Sequence, residues 1–203
     1  MVNQPKLIAE IGINHHGDIK KAKTLIDQAY HSGCWGVKFQ YRKVSNFYKS
    51  SNEIGDEILL QEIIRTSLTK SDIRVLANYS EKLGLKFGLS FFKLEDFIDY
   101  QSCLSFVDFL KVPSAECTNT ALIEAFIQSK KPVMVSTGGH SLNDILNVLQ
   151  KYKKQLVIFH CVANYPAKIG SQNLNFIDTL LDHFPQVGYS SHDSDFNICF
   201  LAL

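Results

Sequence analysis

The sequence predicts an α/β protein of the (β/α)8 TIM-barrel class, with about seven of the eight βα units falling within its 203 residues. Three observations carry the prediction. Short apolar, β-branched runs alternate with longer stretches of helical period. The runs are apolar on both faces, as strands buried in a parallel sheet are. Run after run ends in polar residues on its C-terminal side, where a barrel of this class collects its active site. A doubly wound open sheet, the main alternative, would gather such residues at one switch point.

The elements follow in order. The first strand is KLIAEIG, Lys6 to Gly12, carrying Glu10 near its end. Asp18 to Ser32 reads as a helix with an apolar stripe of Ala22, Leu25, Ile26 and Ala29. WGVKFQ, Trp35 to Gln40, is the second strand. The long connection from Arg42 to Lys70 carries Lys43, Lys49 and a short helical stretch, Glu57 to Thr66. It reads equally as a lid over the barrel mouth or as a solvated insertion. Ser71 to Leu83 opens on a Ser/Asp cap signal and is followed by Gly84. KFGLSFF (Lys86 to Phe92) and FLKVPS (Phe109 to Ser114) are strands three and four. Helices are expected over Asn119 to Ser129, Ser141 to Lys153 and Leu174 to Phe184. Between them lie PVMVST (Pro132 to Thr137) and LVIFHCV (Leu156 to Val162), with VGYSSH (Val187 to His192) last. Regular alternation implies right-handed parallel crossovers. Residues 1–203 read as one domain, with an eighth βα unit expected beyond them.

Composition narrows the function. Twenty-one basic and 20 acidic residues, mixed along the chain, give a formal charge of +1. Neither a nucleic acid nor a membrane is expected as a partner. A strongly anionic substrate would need a local basic site instead. Five cysteines, none in a CxxC pair and most in apolar runs, read as buried thiols. With no basic-then-apolar leader and no window of ~18 apolar residues, a cytoplasmic protein is expected.

Several residues carry chemistry. Lys38 and Lys111 stand inside otherwise apolar strands, where a lysine rarely stays without a partner. Together they suggest a site for a dianion such as a phosphate ester. Ser136 to Gly139 (STGG) ends a strand just before a helix, and its amides and hydroxyls could cradle phosphate oxygens. His192, in the polar strand end SSHD, reads as a metal ligand, whereas His160 reads as ligand or core alike. His15 and His16, in the first loop, read as solvent-facing. Glu10 and Glu116 are strand-end carboxylates, able to move protons or to pair with Lys38 or Lys111.

The motifs IAEIGINHHGD, VKFQ, LKVPSAE, VSTGG, FHCVANYPA and VGYSSHD, in this order, resemble the sialic acid synthase family, which makes N-acetylneuraminate, legionaminate and pseudaminate. The resemblance implies a barrel followed by a small antifreeze-like domain, working as a homodimer. It implies phosphoenolpyruvate, an N-acetylmannosamine-like amino-sugar aldehyde and a divalent metal ion, typically Mn2+. Carried over by motif, Lys38, Ser90, Lys111, Ser114, Ser136, Gly138 and Ser190 would hold phosphoenolpyruvate. Gln40 and Tyr165 would face the sugar. His192 would bind the metal, with a second histidine expected on a strand beyond these residues. Glu116, Lys111 and His192 would be the catalytic set, Glu116 handling protons. Ser191 stands where the family usually has aspartate. Two other readings remain open: a truncated paralogue that keeps only an anion-binding barrel, and another phosphoenolpyruvate-dependent synthase of 3-deoxy-sugar acids.

Overall fold

A computed structural model describes residues 5–43, 57–168 and 170–202. The chain divides into two compact units, Met1–Phe109 and Leu110–Leu203. Lys49 and much of the connection read as a lid or insertion lie outside the described residues.

In the first unit, strands β1 (Ile8–Gly12), β2 (Gly36–Tyr41) and β3 (Lys86–Phe91) pair in parallel and in chain order. Helix α1 (Ile19–His31) connects β1 to β2; α2 (Glu57–Thr66) and α3 (Lys70–Lys82) precede β3. Asp18 starts α1 by accepting from the backbone of Lys20 at 2.7 Å and of Lys21 at 3.3 Å. The buried stripe of α1 is Ala22, Ile26 and Ala29, with Leu25 only half-buried. The start of α3 differs from expectation. Its cap is Thr69, in a reciprocal box with Asp72, rather than the Ser71 signal.

A helix that the sequence reading lacked, α4 (Leu94–Tyr100), follows β3 and runs into a 3-10 turn, Gln101–Phe106. It buries Phe97 and Tyr100 against Phe91, with ring centroids 5.4 and 5.6 Å apart. Side chains of this size each stabilise the fold by about 1.5–3 kcal/mol when fully buried. Gly88, in the middle of β3, lies under the Phe109 ring, and a Cβ there would overlap it.

Asp99 of α4 gathers three elements of this unit. It pairs with Lys70 at the start of α3 (2.9 Å) and with Lys43 beyond β2 (3.0 Å), and it accepts from the Tyr41 hydroxyl at 3.2 Å. The hydrogen bonds from Lys70 and Lys43 hold its carboxyl down at about 2, from an ordinary 3.8. A depressed carboxyl contributes stability above its unfolded value and loses it as pH falls through its folded value. Asp99→Asn should therefore flatten the pH dependence of stability between about pH 4 and pH 2, and cost on the order of 1 kcal/mol at neutral pH. Urea melts of both proteins across that window would check it; parallel curves would refute the assignment.

In the second unit, the Leu110 to Val112 part of β4 (Phe109–Val112), β5 (Val133–Ser136), β6 (Leu156–Cys161) and β7 (Val187–Ser190) also pair in parallel and in chain order. Helices α5 (Thr120–Gln128), α6 (Leu142–Leu149) and α7 (Phe176–Leu181) alternate with them, and α8 (Asn197–Leu201) follows β7. A Ser141–Asp144 box caps α6, which passes into a 3-10 turn, Gln150–Tyr152. Helices α6 and α7 are shorter than the expected Ser141 to Lys153 and Leu174 to Phe184. Strands β4 to β6 are largely buried, whereas β7 is half-buried throughout.

In neither unit does the strand order reverse, as a doubly wound sheet requires. The described strands number seven and follow the connectivity of (β/α)8 units. Among the described residues no helix is long and apolar enough to cross a membrane. The cysteines are less sheltered than expected: Cys117 and Cys161 are buried, but Cys34, Cys103 and Cys199 are half-buried, and none forms a disulfide.

Candidate active site

The first unit joins three of the expected polar residues. Strand register sets Glu10 opposite Lys38, and Gln40 opposite Ser90. Lys38 is only 3% exposed. Its Nζ donates to Ser90 Oγ at 2.7 Å and pairs with Glu10 Oε2 at 2.7 Å. An ammonium removed from water needs such partners. Gly12 keeps the space beneath this group open: a Cβ there would lie 3.3 Å from Glu10 Oε1 and 3.5 Å from Gln40 Nε2. Gln40 accepts a long hydrogen bond from Arg42 at 3.4 Å.

The first-loop histidines differ from each other. His15 is fully buried beside Phe39 and accepts from the Gly17 backbone at 3.0 Å, which corrects its reading as solvent-facing. Burial pushes its imidazole below the usual histidine value. His16 is exposed, with its ring 2.9 Å from Arg65.

The second unit gathers a larger set at the C-terminal ends of its strands. Lys111 Nζ donates to Ser190 Oγ at 2.8 Å and lies 5.3 Å from the centroid of Phe159. Phe159 pairs in register with Gly188, where a Cβ would meet the ring at 2.8 Å. The Gly138 amide donates to Ser114 Oγ at 3.1 Å. A Cβ on Gly138 would lie 3.0 Å from both Ser114 Oγ and the Cys161 carbonyl, so a side chain here would crowd the turn. His140 Nε2 donates to the Ser114 carbonyl at 2.9 Å, tying the β5 end to the β4 end. Ser136 Oγ is buried and has no hydrogen-bond partner among the described residues.

Glu116 lies in the short 3-10 turn after β4 and accepts from the Asn119 side chain at 2.8 Å. The Tyr165 ring is 80% exposed and stacks on His192 with centroids 3.9 Å apart.

His192 Nδ1 faces the Val162 carbonyl at 2.8 Å. A carbonyl only accepts, so Nδ1 carries the proton and Nε2 keeps its lone pair. A backbone partner of this kind orients a metal-binding imidazole, and a divalent ion fits Nε2 as one of its ligands. Among the described residues, however, no group of three or more His, Cys, Asp or Glu is placed to hold an ion. His160 belongs to the core: its Nε2 donates to the Gln172 carbonyl at 2.6 Å and its ring packs on Phe176 and Tyr189.

Sequence reasoning missed Cys161. Its thiol is 3.6 Å from His192 Nδ1 and interacts with Ser114, Lys111 and Ser190. Burial raises its pKa against the pull of those three, which keeps it a neutral thiol. The signal was available. His160 and Cys161 are adjacent on one strand and must point to opposite faces. Asp193 was also missed. It accepts from Tyr189, Ser191 and Gln172 at 2.6, 2.8 and 2.9 Å, bracing the end of β7. Burial would raise its carboxyl, but these donors and nearby His192 outweigh it and hold it low.

Comparison with known proteins agrees with this architecture. The chain is 33% identical to an N,N'-diacetyllegionaminic acid synthase of Campylobacter jejuni, over 97% of its own length and 63% of the relative's. It is 32% identical to the synthase of the same name from Legionella pneumophila, over 92% and 57%. It thus spans about three-fifths of the length of these curated relatives. The crystal structure of the N-acetylneuraminic acid synthetase of Leptospira borgpetersenii matches with a TM-score of 0.85 at 28% identity, over 97% of this chain and 68% of that one. The NeuB family model matches residues 25–203. By the extent of that match, the chain belongs to the NeuB family.

Proposed function

We propose that the protein condenses phosphoenolpyruvate with an N-acetylmannosamine-like amino-sugar aldehyde, giving a nine-carbon 2-keto-3-deoxy sugar acid and inorganic phosphate. The observation that carries the reading is the strand-end cluster of the second unit. There Lys111 donates to Ser190 and the Gly138 amide to Ser114, and the Cys161 thiol interacts with Ser114, Lys111 and Ser190. Such a set suits the oxygens of an anionic ester.

The chemistry balances without an oxidant. C3 of phosphoenolpyruvate attacks the aldehyde carbon, forming the C–C bond, and the aldehyde oxygen gains a proton. Water adds at C2, and phosphate leaves with cleavage of the C–O bond. Lys111, Ser114, Gly138 and Ser190 bind and orient the ester, with Ser136 beside them. Lys38, Ser90 and Gln40 keep their substrate roles on the strength of the resemblance. Tyr165 offers an exposed ring to the sugar. The Glu116 carboxylate accepts the proton of the adding water. A divalent ion, typically manganese in such synthases, would polarise the sugar aldehyde when bound through His192 Nε2. Much of the acceleration comes from holding two substrates in register.

The test is phosphate release from phosphoenolpyruvate by the full chain, given a panel of sugars. N-acetylmannosamine, its 6-phosphate and a diacetamido hexose form the panel, with mass spectrometry of the products. One sugar is expected to give equal amounts of phosphate and keto acid, and a chelator should suppress both. No release with any sugar, with manganese restored, would overturn the proposal.

A further inference from the structure

The planar amide of Asn119 makes two hydrogen bonds at once. Its Oδ1 accepts from the Leu122 backbone at 3.1 Å, capping α5. Its Nδ2 donates to Glu116 Oε2 at 2.8 Å. The backbone closes the same turn. Glu116 N donates to the Pro113 carbonyl at 2.9 Å, and Asn119 N to the Glu116 carbonyl at 2.9 Å. Because Oδ1 is pinned by the first turn of the helix, the direction of Nδ2 is fixed, and so is the oxygen it holds.

We infer that Asn119 is the positioning residue of Glu116, using a helix cap as the fixed point from which the carboxylate is aimed. This rests on the reading of Glu116 as the carboxylate that accepts the proton of water. A Glu side chain has three rotatable bonds between the backbone and its carboxylate, and its unaided position is diffuse. A hydrogen bond to an ionised group is among the stronger ones available. Its partner here is anchored by backbone rather than by another mobile side chain. Ser141 and Asp18 cap their helices too, but the Ser141 hydroxyl donates within its own box, to Asp144, and the Asp18 carboxylate has no hydrogen to donate.

Capping and aiming can be separated by substitution. Aspartate and serine cap about as well as asparagine. Aspartate has the same shape but no donor, and it sets a second carboxylate against Glu116. Serine caps through a shorter side chain that does not reach Glu116 while capping. Asn119→Ser is expected to lower kcat about tenfold. Asn119→Asp should lower it further, and both should leave the melting temperature and the KM for each substrate nearly unchanged. Asn119→Ala loses the cap as well, and should add a fall of about 2–4 °C in melting temperature. A purely structural role would lower kcat only in step with stability, so full kcat in the aspartate and serine variants would overturn the assignment.

Crystal structures of wild type and Asn119→Asp give a reading independent of turnover. A Glu116 side chain displaced while the first turn of α5 is unchanged supports the inference, and one left in place overturns it. If the wild-type chain turns over no sugar at all, the synthase reading falls, and this comparison alone decides the positioning.

Discussion

Lys111→Met is expected to lower kcat/KM for phosphoenolpyruvate by about 10²–10³-fold while leaving the KM for the sugar nearly unchanged. The loss is that of one preorganised donor at a developing charge. Methionine retains an unbranched, polarisable stem that can still lie on Phe159, where the lysine now sits 5.3 Å from the ring centroid. What it removes is the ammonium and its bond to Ser190 Oγ. Steady-state kinetics with each substrate varied in turn would show the split. Equal damage to both constants would mean that the lysine shapes the strand ends without meeting the ester.

Gly88→Ala is expected to have the largest effect on stability: a loss of about 3 kcal/mol, or roughly 6–12 °C in melting temperature for a chain of this size. A Cβ at that position falls on the ring of Phe109, which is fully buried and packs on Trp35 with centroids 5.5 Å apart. A packed ring has little room to move. Phe109→Leu alone should cost stability through lost packing, yet should recover part of it when combined with Gly88→Ala. Such non-additivity marks two residues that contend for one space. Thermal melts of the two single variants and the double variant would decide the matter. An alanine variant that melts with the wild type would show that the ring can yield.

The fold was legible because its signals are local and repeated. Each βα unit restates the same contrast of a buried apolar run and an amphipathic stretch, so errors stayed at the margins. The helix Leu94–Tyr100 was missed because it is only seven residues long and starts at Lys93 without a side-chain cap to signal it. The cap of α3 was placed two residues late because Ser71 and Thr69 carry the same kind of signal, and only the reciprocal bond with Asp72 separates them.

The site was legible in kind but not in partnership. A lysine in an apolar strand announces that it needs company. It does not announce that Lys38 takes Ser90 and Glu10, or that Lys111 takes Ser190, 79 residues away in the chain. Cys161 was overlooked beside His160 because residue type was weighed before alternation, although alternation alone fixes which of two neighbours can face the strand-end cluster. His15 shows the converse. A polar side chain in a loop beside another histidine reads as solvated until the buried ring of Phe39 is seen next to it.

The stack of Gly188, Phe159 and Lys111 constrains the order in which this lineage can change. The ring stands in the space that the glycine leaves, and the ammonium lies near its face. A side chain introduced at Gly188 while Phe159 remains would push the ring toward the charge and disturb it. The same change after Phe159 has become smaller would meet an open space. The two replacements are tolerable in one sequence of events and damaging in the other. A descendant carrying a side chain at position 188 should therefore have lost the large ring at 159 first. Mutational history, rather than the final pair of residues alone, would decide which variants of this cluster are reachable.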